Sequence, residues 1–139
     1  MRDSPFFRAV ETCVHGAGLP YGYAITVWST GAALTGEHGQ ASPGLVFLFA
    51  GGSAAAYGTL KALTWNTQRE ADTPLSKSPH PIRAGVIHVC AIGLAIAAAL
   101  ALAQVPGDAP WFLAPFAATL LYFSGSSVEV ALVEDEGDT

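Results

Sequence analysis

The lysine and arginine residues of this chain all fall on one side of its apolar segments. The chain has six of them, two before the first apolar segment and four at the end of the second or before the third: Arg2, Arg8, Lys61, Arg69, Lys77 and Arg83. The other two connections, 36–42 and 105–110, contain neither residue type. Because basic residues are retained on the cytoplasmic side during insertion, this pattern predicts four membrane spans with both termini and the central loop in the cytoplasm.

The composition favours a bilayer over water as the surroundings of this chain. Of its 139 residues, 51% are hydrophobic and only 12% are charged, against about 25% charged in an average soluble domain. A soluble domain this small exposes too much surface to survive on so few charges. The net charge of −5 and the absence of a basic stripe argue against a nucleic-acid partner.

The predicted fold is all-α, a polytopic bundle of four transmembrane helices. We expect a cytoplasmic or interfacial N-terminal segment over 1–15, a membrane domain over 16–133 and an acidic cytoplasmic tail over 134–139. The spans are placed at 19–35, 44–64, 84–104 and 110–133, with a cytoplasmic loop over 66–83. Pro43 and Pro110 open the second and fourth spans, and Trp65 and Trp111 stand where interfacial aromatic residues are expected.

The N-terminal segment has two interpretations. Apolar residues recur at helical spacing over 4–15, which indicates either a short interfacial helix or a frayed start of span one. The run 16–20, Gly-Ala-Gly-Leu-Pro, is expected to bend the chain. Because Glu11 and His15 interrupt the approach to the apolar segment and no clear A-x-A site follows Trp28, we interpret it as a permanent span and not as a signal peptide.

Helix packing should be close. The outer connections are short, so consecutive spans are expected to be antiparallel neighbours. Two faces of small residues repeat every four positions and predict close helix approach within the bundle or between subunits: Ala50, Ala54, Gly58 and Gly93, Ala97, Ala101.

Polar side chains form one stripe on each of three spans. Span one carries Tyr23, Thr26 and Thr30, span two Ser53, Tyr57, Lys61 and Thr64, and span four Thr119, Tyr122, Ser126 and Glu129. Because lipid cannot satisfy their hydrogen bonds, the three stripes should turn inwards together. They either bond helix to helix or line a path for protons or a solute.

The candidate functional residues lie towards the cytoplasmic ends of the spans: Lys61, His88, Glu129 and His15. A Lys61–Glu129 ion pair would lower the cost of placing both charges at membrane depth, and His88 could relay protons to Glu129. In the alternative interpretation, Lys61 reaches to the interface, Glu129 lies in an exposed last turn and His88 is a hydrogen-bonded structural residue.

Cofactor signals are weak in this sequence. His15 and His88 could ligate one haem iron axially, although no C-x-x-C-H motif accompanies them. No close ligand spacing such as H-x-x-x-H predicts a metal site. The sequence also lacks G-x-S-x-G, G-x-x-x-x-G-K-[ST] and H-E-x-x-H, so no catalytic residues are assigned.

Three functional hypotheses follow, in decreasing order of support. The first is a non-catalytic accessory or assembly subunit of a membrane complex, whose partners are lipid, itself or another membrane protein. The second is a small oligomeric transporter or proton-linked channel that uses the polar stripes. The third is a haem-binding electron carrier. The Ala- and Gly-rich composition suggests a bacterium, so we expect the inner membrane as the location.

Overall fold

The computed structural model describes the backbone of residues 5–64 and 81–135 and the side chains of 20–63 and 85–127. The described chain is all-helical. It forms α1 (Pro5–His38), α2 (Pro43–Thr64), α3 (Pro81–Ala103) and α4 (Pro110–Asp135). Trp65 and most of the loop 66–83 lie outside the described residues.

A proline begins each of the four helices. Proline suits the first helical position because its missing N–H would find no partner in the first turn and its φ is already helical. Ser42 precedes α2, and its hydroxyl accepts from the Leu45 N–H at 3.4 Å, as a capping residue does. Gly39 and Gly107 follow α1 and α3 with φ of 78° and 90°, a conformation that glycine adopts without steric cost.

Helix α1 runs unbroken through the segment that was expected to separate two elements. It has 34 residues and contains Pro20 within it, so residues 5–38 form one helix and not a short interfacial helix followed by a second one. An internal proline removes one backbone hydrogen bond and crowds the carbonyl four residues earlier. At Pro20 that earlier residue is Gly16, and the helix continues past this single lost bond.

Two of the four helices are long and apolar enough to cross a membrane by length and composition. These segments are Pro43–Leu63 in α2 and Gly85–Ala103 in α3. Only 11% of the α2 segment and 22% of the α3 segment are buried inside the molecule, whereas the core helix of a soluble protein is mostly buried. Both helices therefore present most of their apolar surface outwards.

Helix α4 lies at the centre of the packing. It contacts the other three helices, and α1 also contacts α3. Within the described residues, no Cα of α2 lies within 8 Å of a Cα of α1 or α3. The expectation that consecutive helices pack as neighbours is therefore met by α3 and α4 but is wrong for α1 and α2.

The side-chain contacts give the helix directions. Nε2 of His38, at the end of α1, lies 2.8 Å from the carbonyl oxygen of Ala103, the last residue of α3. Helices α1 and α3 therefore run in the same direction. A carbonyl only accepts, so Nε2 donates, and this bond satisfies one of the carbonyls that a helix end leaves open. Tyr57 contacts Phe123 while Gly52 contacts Phe112, so α2 and α4 are also parallel.

Glycines set the closest helix approaches. A Cβ added at Gly52 would overlap the carbonyl oxygen of Phe112, and one at Gly125 would lie 2.6 Å from the Cβ of Ala91. Both distances are too short for a real carbon atom. Helix α2 therefore approaches α4 at its own Gly52, and α3 approaches α4 at Gly125 of α4, because neither glycine has a side chain. The Gly52 contact brings its Cα–H towards a carbonyl, an interaction that recurs at helix interfaces.

The small-residue faces expected at the helix contacts point outwards instead. Ala50, Ala54 and Gly58 on α2 and Gly93, Ala97 and Ala101 on α3 are all exposed, and nothing lies within 4 Å of a Cβ added at Gly58 or Gly93. The buried face of α3 is a different one with the same four-residue repeat: Ala91, Ala95, Ala99 and Ala103. Inside the bundle, the predicted faces are therefore wrong.

Trp111 is also placed differently from the expectation. It is the second residue of α4, and only 3% of it is exposed. It belongs to the main core cluster together with Leu34 of α1 and Ala103 of α3. The ends of α1 and α3 lie side by side next to Trp111 and cover its indole. An interfacial tryptophan would leave its indole exposed.

Candidate functional site

The polar stripes of α1 and α4 face each other inside the bundle. Thr26, Thr30 and Thr119 are at most 1% exposed, and Ser126 is 6% exposed. Tyr23 is half-buried and packs against the core. Its hydroxyl lies 3.4 Å from Oγ1 of Thr119, which joins α1 to α4 by a long hydrogen bond.

Aromatic rings and one imidazole gather around this bond. Tyr122 is fully buried, and its ring centroid lies 5.9 Å from that of Tyr23. Phe123 stands 5.2 Å from Tyr23 and 5.3 Å from Tyr122. His88 of α3 meets Tyr122 edge to face at 5.6 Å. These distances are typical of favourable aromatic pairs, and we call Tyr23, His88, Thr119 and Tyr122 the tyrosine–histidine cluster.

Gly22 makes room for the polar ends of this cluster. A Cβ added there would lie 2.5 Å from Nε2 of His88 and 2.7 Å from the hydroxyl oxygen of Tyr122. The two polar atoms therefore converge on one point beside the α1 backbone, and any larger residue would displace both. The cluster depends on a glycine that the sequence pattern alone did not single out.

The threonines of α1 are satisfied within their own helix. Thr26 donates to the carbonyl of Gly22 at 2.9 Å, and Thr30 donates to that of Thr26 at 2.8 Å. Such bonds to the preceding turn compete with bonds to a neighbouring helix. These two residues therefore fill the interior without linking α1 to α4.

Two buried serines remain without a partner among the described residues. Oγ of Ser126, one turn beyond Tyr122 on α4, makes no hydrogen bond, and neither does Oγ of Ser53 on α2. An unsatisfied buried hydroxyl costs free energy. In the polar stripes of α2 and α4, the hydroxyls of these two serines are therefore buried without a hydrogen bond to any described residue.

The stripe of α2 turns only partly inwards. Ser53 faces the interior, but Tyr57 is 51% exposed and Lys61 is exposed. Tyr57 reaches the cluster only through Phe123, at 6.1 Å between ring centroids. The side chain of Thr64 lies outside the described residues.

Two candidate residues cannot be placed against the cluster. The side chains of His15 and Glu129 lie outside the described residues, so the Lys61–Glu129 pair and the His88–Glu129 relay remain predictions. Joint haem ligation by His15 and His88 likewise remains a prediction.

A second feature is an open groove between α1 and α2, of about 420 Å³. We call it the α1–α2 groove; α4 supplies its floor, and its lining includes Val27, Trp28, Gly31, Val46, Phe49 and Trp111. The hydroxyl of Thr35, also in the lining, is bonded to the carbonyls of its own helix at 3.0 and 3.1 Å. The groove is therefore almost wholly apolar, in the size range of about 300–1,000 Å³ that suits a ligand or a packed side chain.

Sequence reasoning missed this groove because the groove depends on the distance between two helices, α1 and α2, whose described Cα atoms do not come within 8 Å of each other. Trp28, 76% exposed, was the available signal: a large aromatic residue in the body of a predicted span rather than at its end. Within the described residues, no three His, Cys, Asp or Glu side chains come together to hold a metal ion. Comparison of the chain with family models, curated proteins and solved structures finds no match.

Proposed function

We propose that this protein is a four-span inner-membrane protein with both termini in the cytoplasm, acting as an accessory or assembly subunit of a larger complex. Helices α1 and α4 are less hydrophobic on average than α2 and α3, but they have the required length. Their 34 and 26 residues extend about 51 and 39 Å, against about 30 Å of hydrocarbon.

The charge pattern agrees with the helix ends. The end of α1 and the end of α3 meet at the His38–Ala103 bond, and the two short connections on that side carry no lysine or arginine. In the sequence, the six basic residues stand near or outside the opposite ends of the helices, the distribution that the positive-inside rule associates with the cytoplasmic side. A broad apolar surface that includes Phe47, Val89 and Leu94 suits lipid and would promote aggregation in water.

The observation that carries the assembly role is the open side of the bundle. A closed four-helix bundle gives each helix two neighbours, whereas the Cα atoms of α2, among the described residues, come within 8 Å of α4 alone. The groove between α1 and α2 has room for another molecule, at about 420 Å³. An added helix there would complete the packing.

The test is to extract the protein from native membranes in mild detergent and measure its native mass. We expect it to resist carbonate extraction and to migrate as a complex well above the 14.3 kDa chain. A protein that stays monomeric and recovers no partner would overturn the assembly role. An absorption spectrum of the same preparation tests the haem hypothesis, since a Soret band removed by His88→Ala would be required.

A proton-linked transporter is the second candidate, and the tyrosine–histidine cluster favours it. His88 and Tyr122 bring titratable groups together in the interior, with the unsatisfied Ser126 one turn away. Liposome flux assays test it: His88→Gln and Glu129→Gln should abolish proton-coupled flux in a protein that still folds. Full flux in both variants would contradict the relay.

A further inference from the structure

Ser126 carries a buried hydroxyl that its own helix leaves unsatisfied. The residue is 6% exposed, and its Oγ makes no hydrogen bond to any described residue. The adjacent Ser127 donates to the carbonyl of Phe123, four residues earlier, at 2.8 Å. Thr26 and Thr30 make the same bond on α1. Ser126 does not, so its oxygen lies away from the preceding turn of α4.

The polar ends of the tyrosine–histidine cluster belong to the same face of α4 as Ser126. Tyr122 precedes Ser126 by four residues, the spacing that places two side chains next to each other on a helix. The Tyr122 hydroxyl and Nε2 of His88 converge beside Gly22. Ser126 also follows Gly125, where α4 meets α3 most closely. Three polar groups are therefore brought to one buried junction of α1, α3 and α4.

We propose that this junction binds one internal water molecule, held by Ser126, Tyr122 and His88. Buried water molecules typically make about three hydrogen bonds, to polar groups that would otherwise be unsatisfied. A serine hydroxyl and a phenol each donate and accept, so each can bond to water in addition to another partner. Tyr122 is fully buried, and water fits such a site because it needs a space of only about 10–15 Å³.

The chemistry of the three groups favours water over other occupants. An apolar guest would leave the Ser126 hydroxyl without a partner, at a cost in free energy. Calcium and magnesium take about six or more oxygen ligands, whereas this junction offers two hydroxyl oxygens and an imidazole nitrogen. A water molecule donates and accepts at once, which suits both kinds of group.

This inference goes beyond both candidate functions. It requires neither the assembly role nor flux, because a buried hydroxyl needs a partner whether or not protons move. In the proton-linked candidate, the same water would join Ser126 to His88 and Tyr122 by hydrogen bonds and so extend the cluster along α4.

Radiolytic labelling tests the site in the protein purified in mild detergent, with water that carries a heavy oxygen isotope. An X-ray pulse converts water to hydroxyl radicals, and a radical formed from a bound water oxidises the side chain beside it before it can diffuse away. We expect the heavy isotope on the ring of Tyr122, located by tandem mass spectrometry, although this side chain is fully buried.

Ser126→Ala removes the hydroxyl and puts a good helix former in its place. It should lower the labelling of Tyr122 roughly threefold or more, because the water loses one of its hydrogen bonds. Ser53→Ala is the matched control. It removes the other buried hydroxyl without a described partner, which lies on α2, and should leave the labelling of Tyr122 unchanged.

A radical scavenger in the solution separates bound water from bulk water. It intercepts radicals formed in the solvent, so the labelling of Tyr122 should persist in its presence. The inference is overturned by an unlabelled Tyr122, by a label that the scavenger removes, or by a label that Ser126→Ala leaves unaltered. A scavenger-resistant label that depends on Ser126 supports the water site even if liposomes show no flux, a result that would remove the transport candidate alone.

Discussion

The α3–α4 side and the α1–α2 side of this bundle are built from similar residues but pack differently. On one side, Gly125 and the alanine face of α3 bring two backbones together over their length. On the other, α1 and α2 are joined by a four-residue connection yet lie more than 8 Å apart between Cα atoms. Short connections therefore do not ensure packing; a glycine or alanine must meet a complementary surface.

The largest expected effect comes from placing a methyl group in the close contact between α2 and α4 at Gly52. In Gly52→Ala the new methyl group would overlap the carbonyl of Phe112, and a backbone atom cannot rotate away. Since the described Cα atoms of α2 come within 8 Å of those of α4 and of no other helix, we expect a loss of about 3 kcal/mol in the free energy of unfolding measured by SDS titration. Gly58→Ala, six residues on and facing open space, should change it by less than about 0.5 kcal/mol.

A smaller effect is expected on the well-packed side. In Gly125→Ala the methyl group would meet the Cβ of Ala91, but the rest of the α3–α4 contact persists and can adjust. We expect a loss of about 2 kcal/mol in the same titration. The control is Gly93→Ala, on the exposed face of α3, and equal losses in the two variants would mean that the buried face has been assigned wrongly.

Gly22→Ala tests the tyrosine–histidine cluster. The atoms nearest to the new methyl group are side-chain ends, those of His88 and Tyr122, which can turn aside. We expect a loss of about 1 kcal/mol and a change in the near-ultraviolet circular dichroism of the buried tyrosine. An unaltered spectrum would show that Gly22 does not lie against the cluster. Gly36→Ala, in open space on the same helix, is the control.

The smallest effect concerns the bond between Tyr23 and Thr119. At 3.4 Å it is long, and hydrogen bonds between membrane helices average about 0.6 kcal/mol. Tyr23→Phe should therefore cost about that amount in the unfolding titration. A double-mutant cycle with Thr119→Val isolates the coupling, and a coupling energy of zero would remove the bond from the account.

The comparison also explains what the sequence could predict. The starts of α2 and α4 could be predicted because Pro43 and Pro110 stand at first helical positions, where a missing N–H costs nothing. The inward direction of Thr26, Thr30 and Thr119 followed from the cost of polar groups in lipid. Both predictions depend only on the chemistry of the residues themselves, so the sequence is sufficient to make them.

The sequence could not predict in this way which face of α2 and which face of α3 pack inside the bundle. Helix α3 has small residues at Gly93, Ala97 and Ala101 and also at the four buried alanines, so a four-residue repeat fits both faces equally. Choosing between them requires knowing where α4 lies. The groove at Trp28 is a property of two helices that remain apart, and no pattern within either helix records that distance.

The separation of α1 and α2 is the central claim, and disulfide formation in the proposed membrane setting tests it most directly. After Cys13 and Cys90 are replaced by alanine, one variant receives cysteines at Gly31 and Phe49 across the groove, and another at Ala91 and Gly125. Cysteines whose Cα atoms lie more than about 7 Å apart cannot be bridged without backbone movement. We predict that a mild oxidant links the Ala91–Gly125 pair and leaves the Gly31–Phe49 pair reduced. Rapid linkage of the second pair would show a closed bundle and contradict the account.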